Sequence, residues 1–189
     1  AARTYRGADY AAERLVDAKA GRRLSLVLPA HNEEATVGVM VAALRERLVE
    51  QVPLLDELVV IDSDSTDGTV RVAADAGAVV HSQADILPEL GDRSGKGEAL
   101  WKSLAVTTGD LVGFLDSDLY DFDPQLVVGL FGPLLTTDLA FVKGCYERPL
   151  AVVGGVLPGG GGRVTELVAR PLLALYWPEL TGFVQPLAG

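Results

Sequence analysis

Short apolar runs alternate with amphipathic stretches along most of this chain. Residues 24–28 read LSLVL, 57–61 ELVVI and 78–81 AVVH, each of strand length and bounded by polar positions. Between them, 34–50 and 66–76 place apolar residues at the three- and four-residue spacing of a helix that buries one face. A polar stretch over 82–93 leads to a helical pattern over 97–106, a strand over 111–116, a helix opening near Pro124 and a strand over 139–146. Strands that alternate with helices predict an α/β fold, a mostly parallel sheet flanked by helices. Within it, 111–116 reads as the most hydrophobic and most central strand.

After residue 146 the texture changes, and six glycines and a proline stand among residues 153–163 before a helical pattern that begins near Val164. This glycine-rich stretch is expected to be a mobile loop without ligand. Pro171 should kink the helix or mark a new start, and Pro178 should end it. The last apolar residues stop without a cap or polar tail, the texture of a chain cut short. The expected division is an N-terminal extension over 1–23, a ligand-binding core over 24–146 and a second region over 147–189.

At 189 residues with 49% hydrophobic positions, one substantial core is expected. No apolar stretch is long enough for a membrane span and the start lacks the apolar core of a signal peptide, so a soluble, cytoplasmic protein is expected. The single cysteine, Cys145, has no internal disulfide partner and reads as a small apolar strand residue. A formal net charge of −10 argues against nucleic acid as a main partner. An anionic small substrate remains compatible with it, provided helix N-termini, a metal or local cations oppose the global field.

Chemistry gathers where the expected strands end, the place where open parallel sheets bind ligands. The stretch 111–118, LVGFLDSD, breaks from an apolar run into Asp116 and Asp118. Two residues apart on an extended segment, these carboxylates point the same way and suit a hard divalent cation, Mg²⁺ or Mn²⁺. Such an ion keeps waters and takes substrate phosphates, so a nucleoside diphosphate is the implied ligand. A second such tripeptide, Asp62-Ser63-Asp64, is followed by Ser65, Thr66, Asp67 and Gly68, a turn and helix-cap signature that accounts for part of its acidity. The metal is therefore expected at the later pair, with Asp62 as a base or ribose contact. The first strand ends in Pro29, Ala30, His31, Asn32, Glu33 and Glu34. Here Asn32 or Glu33 can meet a base or ribose, or Asn32 can cap a helix whose first turn holds two acids. His31 reads as a polar loop residue.

Two stretches offer positive charge to an anion. Arg93-Ser94-Gly95-Lys96-Gly97 puts a lysine between glycines at a helix start, without Walker A spacing. Gly162, Arg163, Val164 and Thr165 bring flexible backbone, a guanidinium and a hydroxyl to a second helix start, suited to phosphate or carboxylate. No GxGxxG follows the first strand, against a dinucleotide-binding site.

Taken together, PAHNEE, DSDST, GKGEALWKSL, FLDSDL and GGGRVTELVARPLL resemble the GT-A retaining glycosyltransferases of the glucosyl-3-phosphoglycerate and mannosyl-3-phosphoglycerate synthase family. The likeness runs from Leu24 to Gly189. It implies a GT-A fold, Rossmann-like, without the family's C-terminal part. It also implies transfer of glucose or mannose from UDP-glucose, GDP-glucose or GDP-mannose to D-3-phosphoglycerate, with a divalent metal and a homodimer. By the same resemblance Pro29, Ala30, Glu33, Ser63 and Lys96 contact the donor, together with Asp116 and Ser117, while Asp118 holds the metal. Gly162, Arg163, Val164 and Thr165 hold the acceptor phosphate. Family members continue into a region with a further metal-binding histidine and an acidic residue near the reacting sugar, which have no counterpart here. His31 stands where UDP-glucose users carry an apolar residue, which leaves the nucleobase and hexose open. A metal-dependent sugar nucleotidyltransferase and a non-catalytic nucleotide-sugar-binding module are the alternative readings.

Overall fold

The computed structural model describes residues 4–93, 95–145, 150–152, 155–157 and 165–179. Tyr5–Leu139 forms one compact unit, and Ala1–Thr4 with Ala140–Gly189 forms another.

The first unit is built around four parallel strands in the order β3-β2-β1-β4: β1 (Leu24–Ala30), β2 (Glu57–Asp62), β3 (Val79–Ser82) and β4 (Leu111–Phe114). Every residue of β1 is buried. Its alternation sends Leu24, Leu26, Leu28 and Ala30 into the larger apolar core and Val27 into a smaller one with Val59, Ile61, Ile86 and Ala99. Helices α1 (Ala12–Ala18), α2 (Val37–Arg45), α3 (Thr69–Asp75) and α5 (Gln125–Thr136) supply the larger core, and α4 (Lys96–Ser103) the smaller. The helix fields on both sides bury the sheet, as the near-continuous apolar run of β1 requires. Gly113 is an obligatory choice in β4, because a Cβ there would lie 2.8 Å from the Phe131 ring of α5. The N-terminal segment is pinned to the same helix: Gln125 Nε2 donates to the Gly7 and Tyr10 carbonyls at 2.7 and 2.9 Å.

Several expectations need correction. Strand β4 ends at Phe114, two residues early, although the Leu115 N–H still reaches the Val27 carbonyl at 3.0 Å. It is only half-buried and is an edge strand among the described residues, whereas the central, fully covered strand is β1. Residues 139–145 form no strand, since no described neighbour offers them a ladder. The 34–50 helix begins later, at Val37, because Asn32 sits in the left-handed region (φ 59°) and 33–36 make a turn, and its end loosens into a π-helical segment, Glu46–Gln51.

In the second unit, β6 (Gly155–Leu157) lies within the stretch expected to be a loop and pairs antiparallel with β5 (Leu150–Val152) just before it. A π-helical turn, Thr165–Ala169, precedes α6 (Arg170–Tyr176), in which Pro171 occupies the first turn and Pro178 lies just beyond the end. No helix among the described residues is long and apolar enough to cross a membrane.

Candidate functional site

The chain steps outward from β1 to β2 and β3, then returns to lay β4 on the other side of β1. That reversal opens a crevice at the carboxyl ends of β1 and β4, the position where open α/β sheets bind ligands. Pro29 and Ala30 end β1, Asp62 ends β2, and the loop after β4 brings Asp116, Ser117 and Asp118 to the same rim.

The loop after β4 is fastened from below. Ser117 is 4% exposed, and its hydroxyl donates to the Pro29 carbonyl at 2.7 Å. The Ser117 carbonyl in turn accepts the Thr36 hydroxyl at 2.6 Å, in a buried contact with the turn ahead of α2. With the serine pointing inward, the flanking carboxylates face the rim. Asp116 pairs with the Lys96 ammonium at the start of α4. Asp118 is exposed and makes no hydrogen bond or ion pair among the described residues. Burial pushes the Glu33 carboxyl up from its ordinary value, and the Asp118 carboxylate pushes it further; Thr36 opposes this, Asp67 adds to it and His31 opposes. Glu33 and Asp118 thus feel each other across the crevice.

On the other side of β1, the loop after β2 spends most of its polar groups on itself and on the loop after β1. Asp62 is 6% exposed; its Oδ2 accepts the Ser65 N–H at 3.2 Å while Oδ1 is buried without a partner among the described residues. Asp67 accepts the Thr69 N–H at 2.9 Å and its hydroxyl at 2.5 Å, and the Glu34 N–H at 3.3 Å. Asn32 Oδ1 accepts the Thr66 N–H at 2.8 Å, and the Asn32 backbone N–H donates to the Ser65 hydroxyl oxygen at 2.9 Å, which laces the two loops together. The Ser63 N–H reaches the Ala30 carbonyl at 2.9 Å. Its carbonyl accepts His31 Nδ1–H at 2.5 Å, which fixes the histidine's proton on Nδ1.

The structure therefore gathers Pro29, Ala30, Glu33, Asp62, Ser63, Lys96, Asp116, Ser117 and Asp118 at one end of the sheet. Gly162, Arg163 and Val164 lie outside the described residues, and Thr165 opens the π-helical turn of the second unit. Sequence reasoning missed Thr36, Gln83 and Lys102. Lys102 carried a signal: it falls three residues after Ala99 on the buried face of α4, an improbable place for a charge without a task.

The donor chemistry suits a hard cation. Among the described residues no group of three or more His, Cys, Asp or Glu side chains converges as a cage. Asp118 offers an exposed carboxylate uncommitted among the described residues, the sparse provision that Mg²⁺ or Mn²⁺ uses when substrate phosphates complete its shell.

Residues 25–149 match the family model described as "Glycosyl transferase family 2". The chain belongs to this family. Within the glycosyl transferase family 2, it is 57% identical over 173 residues to the glucosyl-3-phosphoglycerate synthase of Mycolicibacterium smegmatis, covering 91% of this chain and 56% of that protein. It is similar to the crystal structure of mannosyl-3-phosphoglycerate synthase from Rubrobacter xylanophilus, with a TM-score of 0.86, 46% identity and coverage of 98% of this chain and 58% of that one. Glucosyl-3-phosphoglycerate synthase from Mycobacterium tuberculosis, in complex with Mn²⁺, UDP and glucosyl-3-phosphoglycerate, matches with a TM-score of 0.83, 49% identity and coverage of 98% of this chain and 61% of that chain. The chain thus spans little more than half the length of these relatives, and its strand order is that of a GT-A, Rossmann-like α/β fold.

Proposed function

We propose that this chain carries the donor-binding part of a retaining, metal-dependent hexosyltransferase that moves glucose or mannose from a nucleoside-diphosphate sugar to D-3-phosphoglycerate. The observation that carries the reading is the exposed Asp118 carboxylate, without a partner among the described residues, at the switch point between β1 and β4, with Lys96 and Asp116 paired beside it. Likeness to synthases solved with UDP and metal, and in two cases with phosphoglyceric acid, supports the substrates.

In this reading Pro29, Ala30, Glu33, Asp62 and Ser63 line the nucleoside end of the crevice. Lys96, Asp116 and Ser117 hold the ribose and diphosphate end, and Asp118 holds the cation. A bound Mg²⁺ or Mn²⁺ supplies positive charge to a leaving diphosphate. The inward Ser117 keeps Asp118 facing the crevice, and the tied loops 31–36 and 63–69 keep Glu33 in place, so the rim needs little rearrangement when the donor arrives. Gly162, Arg163, Val164 and Thr165 are proposed to grip the acceptor's phosphate, and residues 24–146 and 147–189 to divide the work between donor and acceptor. A cytoplasmic homodimer is proposed as the working form.

Titration calorimetry of UDP-glucose, GDP-glucose and GDP-mannose with and without Mg²⁺, followed by product analysis with 3-phosphoglycerate, tests the proposal. Metal-dependent binding of one donor and formation of a phosphorylated glycoside are expected. Absence of binding by the folded chain would overturn the donor assignment. Formation of a sugar nucleotide from a sugar phosphate and nucleoside triphosphate would favour a nucleotidyltransferase instead.

A further inference from the structure

A buried polar relay lies beneath the tip of β2, outside the residues assigned to donor, acceptor or metal. Gln83 is 2% exposed and Lys102 is wholly buried. Gln83 Nε2 donates to Asp92 Oδ1 at 2.8 Å and to the Arg93 carbonyl at 3.0 Å, and its Oε1 accepts the Ser63 hydroxyl at 2.8 Å. Lys102 Nζ closes the network from α4, donating to the Gln83 and Gly91 carbonyls at 3.1 and 2.9 Å and to Asp92 Oδ1 at 3.2 Å.

The polarity of every bond in this relay is forced. A backbone carbonyl only accepts, and so does an ionised carboxylate. Asp92 is ionised at neutral pH, since the Gln83 amide and then the Lys102 ammonium hold its carboxyl below the ordinary value. Both groups at one end of the Gln83 amide therefore demand donors, which places its NH₂ there and its oxygen toward Ser63. Turning the amide over would set an oxygen against two acceptors and forfeit both bonds. The Ser63 hydroxyl has one proton, and Gln83 Oε1 takes it. Only the lone pairs of Ser63 remain to meet a ligand.

We propose that Gln83 is a positioning residue that fixes Ser63 as a hydrogen-bond acceptor toward the nucleoside, so that the site favours a nucleotide presenting an N–H or O–H there over one presenting a lone pair. The inference rests on the donor assignment of Ser63 above. Its surroundings agree in sign: the neighbouring Asp62 Oδ1 is a buried acceptor without a partner among the described residues. Uracil and guanine carry a ring N–H on their pairing edge, whereas cytosine and adenine carry a ring-nitrogen lone pair. With the ring nitrogen of either of the latter two at Ser63, acceptor would face acceptor.

The test is a double-mutant cycle read by calorimetry with Mg²⁺ and four nucleotides, UDP, GDP, CDP and ADP, on the chain and on Ser63→Ala, Gln83→Leu and their combination. For whichever of UDP and GDP binds more tightly, Gln83→Leu should weaken binding about tenfold and narrow the preference over CDP and ADP. In the Ser63→Ala background the same change should cost less than about twofold, because Gln83 acts through the hydroxyl that is gone. Asp92→Ala, at an exposed position, removes one of the two acceptors that hold the Gln83 NH₂ in place and provides the second variant if Gln83→Leu does not fold. It should give a loss of about threefold that again vanishes without Ser63. Equal losses in both backgrounds would overturn the proposal and leave Gln83 a purely structural residue. Wild-type binding of CDP or ADP as tight as UDP and GDP would overturn it too. If the folded wild-type chain binds none of the four, the donor assignment itself falls and takes this inference with it.

Discussion

Asp62, Ser63 and Asp64 leave β2 on one side of β1, and Asp116, Ser117 and Asp118 follow β4 on the other. The tripeptides are identical, yet in the first the leading acid is buried and bonded to its own loop, whereas in the second the serine is the buried member. Asp62 is buried and accepts the Ser65 N–H, while Ser63 hands its proton to Gln83. Across β1, Ser117 is the buried member, tied to Pro29, and the acids on either side face outward, Asp116 to Lys96 and Asp118 to solvent. Which residue of the three is buried decides whether the leading carboxylate serves the backbone or meets a cation at the rim: Asp62 accepts the Ser65 N–H and Asp116 pairs with Lys96, while Asp64 and Asp118 are both exposed. Composition says nothing about this; the residues beneath each tip do.

The largest expected effect separates the tips directly. Asp118→Ala should weaken Mg²⁺-dependent UDP or GDP binding about 100-fold or more, while Asp64→Ala leaves it within about twofold, both read by calorimetry. Loss of metal dependence in Asp64→Ala, with Asp118→Ala unaffected, would exchange the roles given to the two tips. A second prediction concerns the pin. Ser117→Ala leaves the Pro29 carbonyl buried without its donor and should lower the unfolding free energy by about 1–3 kcal/mol in urea. Ser65→Ala, which removes a bond in an exposed loop, should cost less than about 1 kcal/mol. Third, Lys96→Met removes the ammonium beside Asp116, and nucleotide affinity should fall about three- to fivefold at low salt, with the difference shrinking as ionic strength rises.

Much of this arrangement was legible in the residues, and what was not has physical reasons. The run over 24–30 could be read as a buried strand because it is covered on both faces, and the tips of β1, β2 and β4 could be found because parallel strands end where helices must begin. The two-residue spacing of Asp116 and Asp118 was read as that of a strand end, whereas both lie in the loop beyond β4, itself a half-buried edge among the described strands. Apolarity reports burial; it does not rank strands by position. Gln83 and Lys102 escaped notice because their partners come from a polar loop that folds back on itself over 83–93, and hydrophobic periodicity has no purchase on such a loop. Thr36 escaped for a similar reason, since its role exists only once residue 117 lies against it, 81 positions along the chain.

The smallest predicted effect asks which tip Glu33 answers to. Burial first, and the Asp118 carboxylate second, raise its carboxyl above the ordinary value of 4.5. A carboxyl raised in the folded state gives stability by holding its proton: the contribution is full below the unfolded value and is lost as pH rises through the folded one. Glu33→Gln should therefore match the wild type near pH 3.5 and exceed it at pH 7, by less than about 1 kcal/mol for a partly exposed group, as measured by urea unfolding at the two pH values. Asp118→Asn should lessen the pH 7 advantage of Glu33→Gln more than Asp67→Asn does, because Asp118 is the stronger of the two neighbouring negative charges. The opposite ranking would turn Glu33 toward the β2 loop.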